Sequence, residues 1–187
     1  MNSQSYLNNG THGDWIYENQ IHAKILSEIN YGQVRNNYLK IESISPDFSL
    51  PSADSDKSIM SNDLLSDGPI AVSFHLNRSS MHEVIQLNKV LNTAGIKHIA
   101  LVADEQMSSG TRLHNFVYAD KQFDIFHQFG LMTSDPKDLE TLSLNAIYLI
   151  DKDRSIKYSK LFIGDEPINF LSIINTYTAM MQNNKEK

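Results

Sequence analysis

The side chains best suited to chemistry in this chain lie between Phe74 and Val84: His75, Arg78, Ser79, Ser80, His82 and Glu83. A serine hydroxyl beside an imidazole is the pair that acyl transfer uses, and His75 or His82 would serve Ser80 as base. Two imidazoles and a carboxylate are also a donor set for zinc or another divalent ion. Arg78 next to a helix N-terminus would hold an anion, because free N–H groups and the helix dipole favour negative charge there. Each reading has a plain competitor. The Gly-x-Ser-x-Gly elbow of serine hydrolases is missing, since Arg78 and His82 stand where glycine lets the backbone approach closely. His82 and Glu83 are adjacent and diverge around a helix, so at most one of them shares a direction with His75, and no metal or cofactor is expected. Arg78 reads more simply as a solvated loop residue. Ser80-Met81-His82-Glu83 makes its simplest sense as a capping box, in which the serine oxygen accepts the third helical N–H and the glutamate reaches back to the serine N–H; such a cap is worth about 1 kcal/mol.

The elements that must position these residues are legible on either side. Ile70 to Phe74 is an apolar, strand-forming run launched by Gly68-Pro69, and Met81, Val84, Ile85, Leu87, Leu91 and Ala94 return at helical spacing. Ile96 to Ala103 is a second apolar strand, and strand, helix, strand implies a parallel, right-handed crossover. Upstream, 1–13 reads as a flexible tail and 14–43 as a helical extension. There Trp15, His22, Ile25, Leu26 and Ile29 share a face between an Asp14 cap and a Gly32 stop. Ile44 to Leu50 reads as an edge strand opening a hairpin-like excursion before Ile59, and Ser61 to Leu65 as one helical turn.

Downstream, a short helix is expected at Ser108 to Leu113 and a strand at His114 to Ala119. A helix at Lys121 to Phe129 would be closed by Gly130, with Phe123 and Phe126 inward, and Ser134-Asp135-Pro136 would open another. Ala146 to Ile150 and Ser155 to Phe162 form an antiparallel hairpin across Asp151 to Arg154. The last helix, Glu166 to Met181, places Ile168, Leu171, Ile174, Thr178 and Met181 on one stripe before 183–187 frays. Of the remaining histidines, His22, His98, His114 and His127 are scattered over strands and helices and read as packed or surface residues; the aromatic residues from Phe116 to Phe129 read as core.

Composition narrows the functional classes. The chain has 187 residues, 41% of them hydrophobic, enough for one domain with a real core at 44–182. Sixteen basic and 22 acidic residues give a net charge of −6, and the basic ones are dispersed, so neither nucleic acid nor an anionic membrane is expected as a partner. No apolar run approaches the ~20 residues that span a bilayer, and the first ~20 residues are polar, which points to the cytoplasm. There is no cysteine, and with none the chain has no disulfide, thiolate metal site or thiol redox chemistry of its own.

Ser45-Pro46-Asp47-Phe48-Ser49-Leu50-Pro51 resembles the opening Pro-Asp-Phe-Thr-Leu-Pro of the AhpC/TSA peroxiredoxin-like family. Leu64-Leu65 through Gly68-Pro69 to Phe74 is similar to the family's entry into its central strand. Ala119-Asp120 to Gly130-Leu131 resembles its Ser-Asp-Pro-(x)n-Gly-Leu segment, and Asn145 to Asp151 its Pro-Ala-Thr-Phe-Val-Ile-Asp strand. The resemblance covers Ile44 to Met181 and implies an α/β, thioredoxin-like fold of peroxiredoxin type, a central mixed sheet flanked by helices, with an added N-terminal helix. It also implies a homodimer. Laid on the family's Trp-Cys-Pro-x-Cys turn, the chain has Ser79 at the tryptophan, Ser80 at the nucleophilic cysteine, Met81 at the proline and Glu83 at the second cysteine. Asn145 takes the place of the cis-proline that faces the thiol.

Peroxide reduction needs a thiolate that passes through sulfenic acid and returns to thiol. A serine hydroxyl is scarcely ionised near neutral pH and has no such oxidation ladder. The expectation is therefore a redox-inactive peroxiredoxin-like protein acting as a binding or accessory module for a protein or small-molecule partner. The competing expectations are a thiol peroxidase by resemblance alone, or a hydrolase-like or metal-dependent enzyme using Ser80 and nearby histidines.

Overall fold

The computed structural model describes residues 31–51, 58–76, 81–102, 116–120, 123–132, 144–163 and 168–183. In chain order these form a helix at residues 31–37 (α1), strands β1 (Ser49–Pro51) and β2 (Ser58–Met60), α2 (Ser61–Ser66), β3 (Ile70–Leu76), α3 (Met81–Thr93), β4 (Lys97–Val102), β5 (Val117–Ala119), α4 (Asp124–Gln128), β6 (Leu144–Ile150), β7 (Ile156–Ile163) and α5 (Phe170–Asn183). β1 and β2 pair as an antiparallel ribbon. The other strands form one mixed sheet in the order β5-β4-β3-β6-β7, with β3, β4 and β5 parallel and β6 and β7 antiparallel to their neighbours. The expected α/β architecture, the parallel crossover through α3 and the closing hairpin are all present.

β3 is buried along its whole length because both faces of the sheet are covered. Its even-numbered residues Ile70, Val72, Phe74 and Leu76 enter a large core with Val34, α2 and α4. There Phe74 packs against Phe126, Phe129 and Tyr148 at ring-centroid distances of 5.1, 4.7 and 5.6 Å. Its odd-numbered residues face α3 and α5, where Ala71 joins Leu87, Leu91, Ile147, Phe162 and Ile173 in a smaller core.

Several boundaries differ from the sequence expectation, each for a local reason. Gly32 is helical rather than a stop: residues 31–37 form a helix, and burial of Val34 with packing of Tyr31 outweighs the ~1 kcal/mol a helical glycine costs. The helix expected from Trp15 to Ile29 lies outside the described residues. Only Ile44 of the segment before Phe48 makes a ladder contact, a single bridge to Ser155. Pro46 lacks an N–H to offer a neighbouring strand. The Arg154 guanidinium instead pins this segment through the Ser45 carbonyl and Asp47, the latter at 2.8 Å. Gly130 does end α4. It lies at φ +70°, Leu131 N–H reaches the Phe126 carbonyl and Gly130 N–H the His127 carbonyl, the pattern of a left-handed helix stop. A Cβ at this position would also collide with the Asn37 carbonyl.

The final helix starts later than the spacing predicts. Ile168 is outside it, and Asn169 Oδ1 accepts the Ser172 N–H at 3.2 Å, as an N-cap does. Its buried stripe is Ile173 and Met180, while Leu171 is 66% exposed and Met181 36%. The shift follows from the sheet, which offers α5 only the small odd-numbered face beside α3. The helices expected at 108–113 and from Ser134 lie outside the described residues.

Candidate functional site

β3 places Ser73 and His75 two residues apart, and therefore on the same face, the one α3 covers. β4 brings His98 to that face opposite Ala71, whose small side chain leaves room for a ring. His75 stands across the ladder from Asn145 of β6. The result is an unbroken chain of side-chain hydrogen bonds. Asn145 Oδ1 lies 3.1 Å from His75 Nδ1, His75 Nε2 lies 2.8 Å from Ser73 Oγ, Ser73 Oγ lies 2.8 Å from His98 Nε2, and His98 Nδ1 lies 3.1 Å from Asn88 Oδ1 on α3. Ser73, His75 and His98 are buried, and the two asparagines at the ends are half-buried.

Burial disfavours the imidazolium form of both rings. It lowers His75 from 6.5 to about 4, against a smaller upward pull from the bond to Asn145. It lowers His98 to about 3, with repulsion from His75 adding to the effect. At neutral pH both rings are neutral, and each ring nitrogen is engaged within the protein. An imidazole held this way orients its neighbours rather than offering a lone pair to a substrate or a metal.

The residues singled out from the sequence separate in space. Arg78, Ser79 and Ser80 lie outside the described residues, and with them the serine half of the proposed capping box. His82 and Glu83 occupy the first turn of α3 and are exposed, whereas His75 is 2% exposed beneath the helix. Asn145 does meet His75. Among the described residues no group of three or more histidines, acids or cysteines is arranged to hold a metal ion. A groove of about 640 Å³ lies at the other end of the sheet, beside Pro69, Asp151 and Tyr177.

Ser73, Asn88 and His98 were not legible as one group. The available signal was the alternation Ser73, His75 inside an apolar strand, which sets two polar residues on one buried face and so requires partners for them. His98, expected to be a packed or surface residue, is packed, and Phe116 lies against its ring at 5.7 Å.

No family model matches the chain, and no curated protein is similar enough in sequence to match it. Solved structures do match. A peroxidoxin, BcpB, from Mycobacterium tuberculosis superposes with a TM-score of 0.57 at 18% identity, covering 76% of this chain and 98% of that one. The reduced 2-Cys peroxiredoxin of Plasmodium vivax gives 0.60 at 12% identity over 79% and 84%. A yeast mitochondrial 1-Cys peroxiredoxin gives 0.55 at 16% identity over 79% of each chain. The fold is that of the peroxiredoxins. Identities this low carry the fold alone, and the active-site cysteines of that fold are absent from this chain, which has none. No helix among the described residues is long and apolar enough to cross a membrane.

Proposed function

We propose that this chain is a redox-inactive peroxiredoxin-like protein that uses the scaffold as a binding or accessory module, assembling as a homodimer. The observation that carries the reading is a peroxiredoxin fold in a chain without cysteine. Reduction of a peroxide by this fold needs a sulfur that attacks the O–O bond, becomes a sulfenic acid as the peroxide leaves as alcohol or water, and is returned to thiol by a second thiol. Serine oxygen cannot accept oxidation in this way, and methionine sulfur has no thiolate form. With the chemistry removed, what stays useful is a rigid sheet with covered faces and the surface it presents.

The test is peroxide consumption by the purified protein with dithiothreitol or a thioredoxin system as electron donor. The expected rate is that of the donor alone. A rate rising in proportion to protein concentration overturns the reading.

A further inference from the structure

The buried chain from Asn145 to Asn88 has four gaps between its five side chains, and each gap needs one proton to be a hydrogen bond. With both imidazoles neutral, the two rings and the serine hydroxyl supply three. The fourth must come from an asparagine turned so that its NH₂ faces a ring nitrogen, a half-turn of the amide that leaves its shape unchanged. With one imidazolium, the two rings and the hydroxyl supply four, and both amide oxygens face inward. With two imidazolium rings there are five protons for four gaps. Both Nε2–H groups then point at Ser73 Oγ, the hydroxyl proton has no acceptor in the chain, and two cations flank one oxygen.

The sheet cannot yield to that charge. β3 lies between β4 and β6, and β4 between β3 and β5, so their backbones are held from both sides. α3 is an outer layer, held to this face by the packing of Leu87 and Leu91 and by the hydrogen bond of Asn88 to His98. We propose that the chain is a proton-operated latch holding α3 on the sheet: it stays closed with no proton or one, and a second proton opens it by displacing the helix so that water reaches the rings.

Among the described residues, the other groups on this face do not supply a counter-charge inside it. On α3, His82, Glu83 and Lys89 are exposed; α5 has no charged residue and contributes Tyr177, whose hydroxyl donates to the Gly95 carbonyl. β7 places Tyr158 and Lys160 on this side, the ammonium 5.7 Å from the Phe162 ring, and a cation there opposes protonation further. The sign of the linkage follows from the lowered values. Above pH 6.5, the ordinary value, folded and unfolded chains bind the same number of protons at these rings. Between 6.5 and the folded values of about 4 and 3 the unfolded chain binds more, so stability falls as pH falls, and it levels off below them. Up to two protons are taken up on opening, so the opening constant rises by up to about 100-fold per pH unit near pH 5.

Native-state hydrogen exchange from pH 7 to 4.5, corrected for intrinsic exchange rates, tests the latch in the unmodified protein. Amides of Val84 to Leu91 are expected to lose protection before those of the β6–β7 hairpin. Imidazole nitrogen spectra at pH 5.5 should show two of the seven histidines still neutral. Asn88→Ala should weaken α3 protection already at pH 7 while leaving β6–β7 unchanged, and His75→Gln with His98→Gln should flatten the pH dependence. The proposal is overturned if α3 and the hairpin lose protection in parallel, if all seven imidazoles are charged at pH 5.5, or if the folded double variant keeps the pH dependence. These outcomes are independent of the peroxide assay.

Discussion

The two faces of the central sheet are made from alternate residues of the same strands and are stabilised in different ways. On one, Phe74, Phe126, Phe129 and Tyr148 pack around β3, edge to face except for the tilted Phe74–Phe129 pair. On the other, Ser73, His75 and His98 form a hydrogen-bonded line beneath α3. The apolar face depends on area and fit, which do not change with proton activity. The polar line on the other face, set among Leu87, Leu91 and Ile173, is satisfied only while its protons are correctly counted, because an unsatisfied buried group costs at least as much as a bond gains. A single strand thus separates permanent from conditional stability by the period of two.

The largest effect is expected from Phe74→Ala, which removes the ring shared by three aromatic contacts and leaves a cavity. It should cost about 3–5 kcal/mol in denaturant unfolding. The cost should be the same at pH 7 and pH 5, since none of the three rings it packs against, Phe126, Phe129 and Tyr148, changes charge between them. A cost that changed with pH would mean that the two faces are coupled through the strand. Ser73→Ala strikes the other face and should cost about 1–3 kcal/mol at pH 7, because two buried Nε2 atoms lose their common partner while little volume is lost. A neutral result would show that water replaces the hydroxyl and that the line is no more than filler.

The difference between the faces also explains what could be read in the sequence. The fold was legible because Ile70 to Phe74, Leu87 and Leu91, and the hairpin around Asp151 to Arg154 each carry a periodicity or turn signal that their neighbours support. The late start of α5 was not, because Ile168 and Leu171 fit a helical stripe as well as Ile173 and Met180 do; which stripe is buried depends on the surface the sheet offers. The polar line was hidden for a similar reason. Its members are 10, 25 and 70 residues apart in its longer links, and only strand order and register bring them together.

A smaller effect is expected where a polar group serves the apolar face. The Asp120 carboxylate is buried and accepts the Ile125 and Phe126 N–H groups at 2.8 and 2.9 Å, tying the start of α4 to the end of β5. Asp120→Ala removes both acceptors and should cost about 1 kcal/mol, in the range of an N-cap loss. The expected consequence is a loosened Phe126, read as faster ring flipping or a shifted near-ultraviolet circular dichroism signal, with α3 protection unaffected. Loss of α3 protection in this variant would place the two faces in one cooperative unit.

The smallest effect gives the sharpest control. Lys97 precedes His98 on β4, so its side chain leaves the sheet on the opposite face. There its ammonium lies 3.5 Å from Asp67, and the two side chains are 44% and 77% exposed. A pair this open to water contributes well under about 1 kcal/mol and is further screened by salt. Lys97→Ala should therefore shift the denaturation midpoint by little more than the error of the measurement. It removes a positive charge one residue from His98 while leaving every bond of the buried line intact. If the fall in stability between pH 7 and 5 came from the general electrostatic field around the sheet, loss of this charge would ease protonation and alter that fall. If it comes from proton counting among Asn145, His75, Ser73, His98 and Asn88, the pH dependence of Lys97→Ala should superimpose on that of the unmodified protein. The contrast between the faces would then rest on hydrogen-bond connectivity rather than on net charge.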